Sequence, residues 1–303
     1  MSEVTVVDTI AFARGPGGGN PCPLVLAAEL LHSDQMQALA AQFGHETAFL
    51  LPATTPEATI RLRYFVPLHE MTMCVHATVA AATWLKVSGA VSGMALSVQT
   101  PLGVRDVTLE RGDAGLRVWI EQWPPNVAPS HPGAIEVAEI LGINCEDLQA
   151  DRPIRTLSTS RMKTIVPLRN RAVLDRIQAP GEEAWRLCER YGSTGIYPFA
   201  PLAADHGTVY AARQFPVRAG YPEDPATGVA AGALAAYLAQ QAALRVGSDE
   251  WASAEVWQGD AMGRPSVLWS AVRRKSEDEL AVRVGGSAEI LRQRQQRVPP
   301  ISA

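Results

Sequence analysis

Apolar and polar positions alternate over 4–13 and 59–66, which predicts strands there; the apolar run Thr47–Leu51 predicts a short strand, and 95–99, 104–110 and 116–122 predict three more. The last three, separated by short turns, predict an antiparallel meander. Over 33–43 the period becomes helical: Ser33 is placed to cap, Met36, Leu39, Ala40 and Phe43 share a face, and Gly44 supplies a left-handed stop. Beyond residue 132, helices are predicted over Ala134–Leu141, 170–177 and 182–191. Strands are predicted over 163–168, 195–199, 208–213, around Val256, and over 266–273 and 279–284.

Two further segments have no polar face at all. Glu70 to His76 runs into the small-residue stretch Ala77-Thr78-Val79-Ala80-Ala81-Ala82, and Glu223 to Val229 runs into Ala230-Ala231-Gly232-Ala233-Leu234-Ala235. At an offset of 153 (229 − 76), Glu70 aligns with Glu223, Ala80 with Ala233, Trp84 with Tyr237 and Leu85 with Leu238. Matching composition alone could produce two Ala-rich helices, but not the matched polar approaches. A helix apolar all round must be enclosed by protein. A repeat at half the chain length implies two similar halves with a site between them. Each half is therefore expected to be a sheet curled round its own helix, an α+β architecture rather than a doubly wound parallel one. The Pro-rich stretch from Trp123 to Pro132 is the best linker, dividing the chain into 1–122 and 123–303, with a strand near 285–295 able to return to the first half.

Bulk properties narrow the function by exclusion. The 303 residues are 47% hydrophobic and 19% charged, with a net charge of −4, which gives no electrostatic reason to expect nucleic acid or a membrane surface as partner. The basic run from Arg292 to Arg297 is expected to be a solvated terminus rather than a binding arm. No apolar segment reaches the roughly 20 residues of a membrane span. The four cysteines (Cys22, Cys74, Cys145, Cys188) are scattered, without C-x-x-C, as free thiols in a cytoplasmic protein would be. The run Arg14-Gly15-Pro16-Gly17-Gly18-Gly19-Asn20-Pro21 invites a phosphate-loop reading. Asn20 stands where the third glycine belongs, however, and prolines follow where a helix should open, so a turn is expected.

The candidate chemistry lies at the two helix mouths, where unpaired N–H groups and the positive dipole end favour anions. Glu46 stands beside the apolar strand Thr47–Leu51, where desolvation raises a carboxyl pKa and suits it to take and return a proton. Its plain alternative is an ion pair with Arg61 or Arg63. His76 falls in the first turn of the first Ala-rich helix and Asp224 just ahead of the second, where capping is the plain alternative. His45-Glu46, His69-Glu70 and Cys74-Val75-His76 cluster in sequence, but without H-E-x-x-H or paired zinc spacing, so no metal is expected. No G-x-S-x-G elbow supports a serine hydrolase.

Several of these motifs, in order and at matching spacing, resemble the PhzF-like family of phenazine-biosynthesis isomerases. They are Gly19-Asn20-Pro21, Met36-Gln37 through Glu46-Thr47-Ala48-Phe49-Leu50, Arg61 to Pro67, Cys74-Val75-His76-Ala77-Thr78, Glu223-Asp224-Pro225-Ala226-Thr227-Gly228, and Gln258-Gly259 with Gly263-Arg264-Pro265-Ser266. The resemblance implies a diaminopimelate epimerase-like fold, two pseudo-symmetric halves each a β-barrel around a central helix, with the active site in the cleft. It implies a cofactor-free enzyme, commonly a homodimer. It assigns proton shuttling within a small carboxylate-bearing substrate to Glu46, assisted by His76 and Asp224. Substrate contact would fall to His45, Cys74, Val75, Thr227, Gly228 and Val229. Epimerase relatives oppose two cysteines, one per half; here Cys74 has Thr227 as its repeat mate, which argues against a two-thiol racemase. Val75 replaces a usual glycine, Val229 a usual serine, and His45 the serine of the phenazine enzyme, so the phenazine precursor itself is not the expected substrate. The alternative from another class is a non-catalytic member that binds a metabolite or protein.

Overall fold

The chain divides into two compact units, Met1–Ala13 with Gly19–Glu121 and Gly285–Ala303 in one, Arg14–Gly18 with Gln122–Val284 in the other. The computed structural model describes residues 3–112, 115–202, 208–248, 250–276 and 279–300.

In the first unit, hydrogen-bonded neighbours run Ala288–Arg297, Glu3–Ala11, Asn20–Val25, Thr47–Leu51, Ile60–Phe65, Ala95–Thr100, Gly103–Gly112, Gly115–Glu121. Two of these pairings are parallel and the rest antiparallel. The helix Val75–Val87 touches both end strands of that series as well as Glu3–Ala11, Asn20–Val25 and Thr47–Leu51, so the sheet curls around it. Its Ala, Val and Thr side chains are short enough for strands to approach on every side, and ten of its residues are buried. Thr47–Leu51 is buried at all five positions because both faces are covered. On one lies the Val75–Val87 helix. On the other, Met36, Leu39 and Ala40 of the helix Ser33–Phe43 share a core with Phe49, Leu51 and Phe65. Glu46 is thus held between two anchored elements.

In the second unit the series is Asn126–Val127, Arg155–Ser158, Lys163–Pro167, Gly195–Pro201, Val209–Ala212, Ala252–Gln258, Ser266–Arg274. The helix Gly228–Gln240 lies against four of these strands and is buried from Gly228 through Leu238. It matches Val75–Val87 residue for residue at the predicted offset (228 − 75 = 153). One position breaks the match for a steric reason. A Cβ on Gly232 would lie 2.9 Å from both Thr159 Oγ1 and Val284 Cγ2, whereas its repeat mate Val79 is accommodated. The outer face of this sheet carries Ala134–Leu141, Arg171–Arg176 and Glu182–Arg190, which bury Val137, Leu141, Val173, Leu174 and Leu187 against Val166, Leu168 and Ile196.

The α+β expectation holds, and the 95–122 meander pairs as expected. Three local expectations are corrected. Asn20 and Pro21 belong to a strand, Asn20–Val25, rather than a turn. Pro21 and Pro23 are two apart and so present the same edge, and the parallel ladder with Thr47–Leu51 begins only at Leu24, past both missing N–H groups. Ser33 is the first helical residue rather than the cap: its Oγ accepts from Arg63 Nη2 at 3.0 Å, and the His32 backbone N–H donates to Gln35 Oε1. The basic run is no loose terminus. It forms most of strand Ala288–Arg297, paired along Glu3–Ala11, with Arg292 and Arg294 both donating to Asp8.

Candidate active site

The mouth of the Val75–Val87 helix gathers three titratable groups. Cys74 is the N-cap residue and makes no side-chain cap bond, so the thiol turns elsewhere. Its Sγ donates to Glu46 Oε2 at 3.2 Å and lies 3.2 Å from His76 Nδ1. His76 Nδ1 is itself 3.0 Å from Glu46 Oε2, with the two side chains only 3% and 11% exposed. Burial, then the neighbouring Glu46 carboxylate, pushes the Cys74 thiol up to about 12 against the pull of His76, so the sulfur keeps its proton at neutral pH. Burial alone would lower the His76 pKa, but facing Cys74 and Glu46, together with hydrogen bonding to Cys22 and Cys74, holds it well above its ordinary value. The Cys74 backbone is fixed in turn: its carbonyl accepts from Thr78 N (3.1 Å) and Thr78 Oγ1 (2.7 Å), and that hydroxyl also shares a 2.8 Å hydrogen bond with buried Tyr64.

At the mouth of Gly228–Gln240 the groups differ. Thr227, the N-cap residue, also makes no cap bond; its hydroxyl donates to Asp224 Oδ2. Gln258 organises the surroundings. Its Nε2 donates to the Asp224 carbonyl (2.6 Å) and Thr227 Oγ1 (3.1 Å), and its Oε1 accepts from Tyr197 Oη (3.1 Å) and Thr227 N (3.3 Å). Burial and then the Asp224 charge push the Tyr197 phenol up, so it remains a donor. Gly259 allows this: its φ is +81°, and a Cβ there would meet the Arg264 carbonyl oxygen at 2.2 Å and that of Pro225 at 2.8 Å.

Behind each mouth stands the same buttress. Arg63 donates to both oxygens of Glu70 at 2.7 Å, and Arg213 donates to those of Glu223 at 2.9 and 2.7 Å. Arg63 is therefore engaged by Glu70 in a bidentate pair. Tyr64 pairs with Met71 as Gln214 pairs with Asp224, so the two buttresses are structural mates. Fixed-offset comparison misses the second arginine because it lies ten residues before its glutamate, not seven (223 − 213 against 70 − 63).

In the first unit the structure brings Glu46, Cys74 and His76 together, while Val75, 1% exposed, packs into protein. His45 is half-buried, and its carbonyl accepts from Thr47 Oγ1 at 3.1 Å. In the second unit Asp224 and Thr227 are in contact, with Gly228 and Val229 buried in the first turn. Sequence reasoning missed Tyr64, Thr78, Tyr197 and Gln258 as parts of these mouths. Tyr64, Thr78 and Gln258 lie within the motifs Arg61 to Pro67, Cys74 to Thr78 and Gln258-Gly259, whereas Tyr197 carried no signal.

A family model described as "Phenazine biosynthesis-like protein" matches residues 9–294. An uncharacterized isomerase of Deinococcus radiodurans is 33% identical, covering 94% of this chain and 92% of that protein. The trans-2,3-dihydro-3-hydroxyanthranilate isomerase of Pseudomonas chlororaphis is 26% identical, covering 95% and 96%. The crystal structure of a Bacillus anthracis phenazine biosynthesis protein of the PhzF family superposes with a TM-score of 0.86 at 27% identity, covering 98% and 100%. The fold is thereby that of a PhzF-family structure, as expected.

Proposed function

The chain belongs to the PhzF family of phenazine biosynthesis-like proteins, and from that membership we propose an isomerase that moves a proton within a small carboxylate-bearing substrate, with Glu46 as acid and base. The observation that carries this reading is the Glu46 carboxylate oxygen, 3.0 Å from His76 Nδ1 and 3.2 Å from the Cys74 thiol, at a helix N-terminus. Two groups orient the carboxylate, the Cys74 thiol and the His76 imidazole, whose pKa is held above its ordinary value. The dipole of Val75–Val87 favours negative charge developing on the substrate. Cys74, a neutral donor touching Glu46 itself, is poorly placed to serve as an opposed second base, which supports the isomerase over the two-thiol racemase. Asp224 is proposed to assist through the mouth that it organises with Thr227 and Gln258.

The test is ¹H NMR in D₂O with cyclic dienyl and amino carboxylic acids, comparing wild type with Glu46→Gln. Isomerisation or deuterium uptake should fall about 10²–10⁴-fold in the variant with its fold intact. Equal rates in the two proteins would overturn the role of Glu46. Ligand binding without any conversion would favour the non-catalytic binder.

A further inference from the structure

The cluster at the first mouth has a donor set that proton transfer alone does not require. Glu46 Oε2, Cys74 Sγ and His76 Nδ1 form a triangle with sides of 3.0, 3.2 and 3.2 Å. One carboxylate oxygen, one sulfur and one imidazole nitrogen are all zinc donors, at about 2.0–2.2 Å for O, 2.3 Å for S and 2.0–2.1 Å for N. With tetrahedral angles those bond lengths separate N from O by about 3.3 Å and S from either by about 3.5 Å. The triangle has to open by only about 0.3 Å a side, less than a rotamer change moves an atom.

The donors come from backbone segments fixed independently. Cys74 and His76 are two apart at a helix start, and Glu46 is held between the helix Ser33–Phe43 and the strand Thr47–Leu51. Their burial means that little desolvation or ordering remains to be done on binding. The Thr78 and Tyr64 hydrogen bonds lock the Cys74 backbone from behind, as outer partners do in metal sites. The sulfur selects against magnesium and calcium, which take oxygen. Spacing in the sequence offered only the Cys74–His76 pair; the third donor arrives through tertiary structure.

We propose that Glu46, Cys74 and His76 form a zinc-binding site with its fourth position open, and that Zn²⁺ bound there blocks isomerisation by occupying the Glu46 carboxylate. On binding, Zn²⁺ replaces the Cys74 S–H proton and any proton on His76 Nδ1, and these pass to solvent. The binding half stands alone; the inhibitory half rests on the isomerase reading above.

The test titrates Co²⁺, then Zn²⁺, into full-length protein carrying Cys145→Ser, which removes the exposed thiol. One Co²⁺ per chain should produce a thiolate-to-cobalt absorption band, displaced by Zn²⁺. Competition with a chromogenic chelator should show Zn²⁺ affinity falling at least about 100-fold in Cys74→Ala and in His76→Gln. Circular dichroism confirms that both variants fold. No thiolate band, or one that survives Cys74→Ala, would overturn the site and leave the isomerase reading untouched. Binding by a protein that converts no substrate would keep the site and sink the isomerase. Full activity with Zn²⁺ bound would overturn the inhibitory role.

Discussion

The two helix mouths share a scaffold and differ in chemistry. Both have a thirteen-residue small-residue helix, an N-cap residue that makes no cap bond, and an Arg–Glu buttress behind. The first replaces Thr227 and Val229 of the second with Cys74 and His76, and Glu46 enters beside them. The result is three titratable groups in mutual contact. In the second, the Thr227 hydroxyl donates to the Asp224 carboxylate, and the Gln258 amide donates to the Asp224 carbonyl and to that hydroxyl. The shared scaffold thus gathers three titratable side chains at one mouth and a polar frame built on Asp224, Thr227 and Gln258 at the other.

The sharpest way to break that contrast is to give the first mouth the residue of the second. His76→Val removes the partner of Glu46, and isomerisation should fall about 10²–10⁴-fold in the same NMR assay, with the fold retained. The next contrast lies in the buttresses. The side chains of Arg213 and Glu223 are 8% and 7% exposed, those of Arg63 and Glu70 23% and 36%. Arg213 also donates to the Leu174 and Ile177 carbonyls. Glu223→Gln strands a buried guanidinium and should cost about 3–5 kcal/mol in urea unfolding. Glu70→Gln, at a wetter pair, should cost less than about 1 kcal/mol. Equal losses would mean that the two buttresses are energetically alike despite their burial.

Gln258→Leu tests the polar frame. Thr227 N–H and Tyr197 O–H lose an acceptor, at about 1–3 kcal/mol for each buried group left unpaired. Thermal melts of the single variant and of the double variant with Tyr197→Phe should show that part of the loss is recovered. The smallest effect concerns the strand Ala288–Arg297. Burial works to raise the Asp8 pKa, but hydrogen bonds and charge from Arg294 and Arg292 hold it below its usual 3.8. A folded pKa below the unfolded one stabilises at pH values above about 4, and that stability is lost as pH falls through the folded value. Arg294→Gln should flatten this acid dependence of unfolding, measured between pH 5 and 2.

Much of the fold was legible in local pattern. The strand Ile60–Phe65, the helix Ala134–Leu141 and the meander follow from local pattern, and the two central helices from small residues repeating at fixed spacing. The failures were also local. Two prolines disguised the strand Asn20–Val25, whose single proline-bearing edge becomes visible only once its neighbours are known. A run of arginines passed for a solvated tail because charge says nothing of the Asp8 that receives it.

At the candidate site, residue types and the repeat register offered Glu46, His76 and Asp224 beside plainer readings as an ion pair or caps, and the resemblance to PhzF-like isomerases chose among them. That Glu46 meets Cys74 and His76, 28 and 30 residues further on (74 − 46, 76 − 46), could not be read that way. Their contact depends on the strand Thr47–Leu51 lying against the helix Val75–Val87, and on the helix Ser33–Phe43 covering its other face. Periodicity and propensity are properties of neighbours along the chain, so they decide which elements form. Which atoms come within 3.2 Å of one another is decided by how those elements pack.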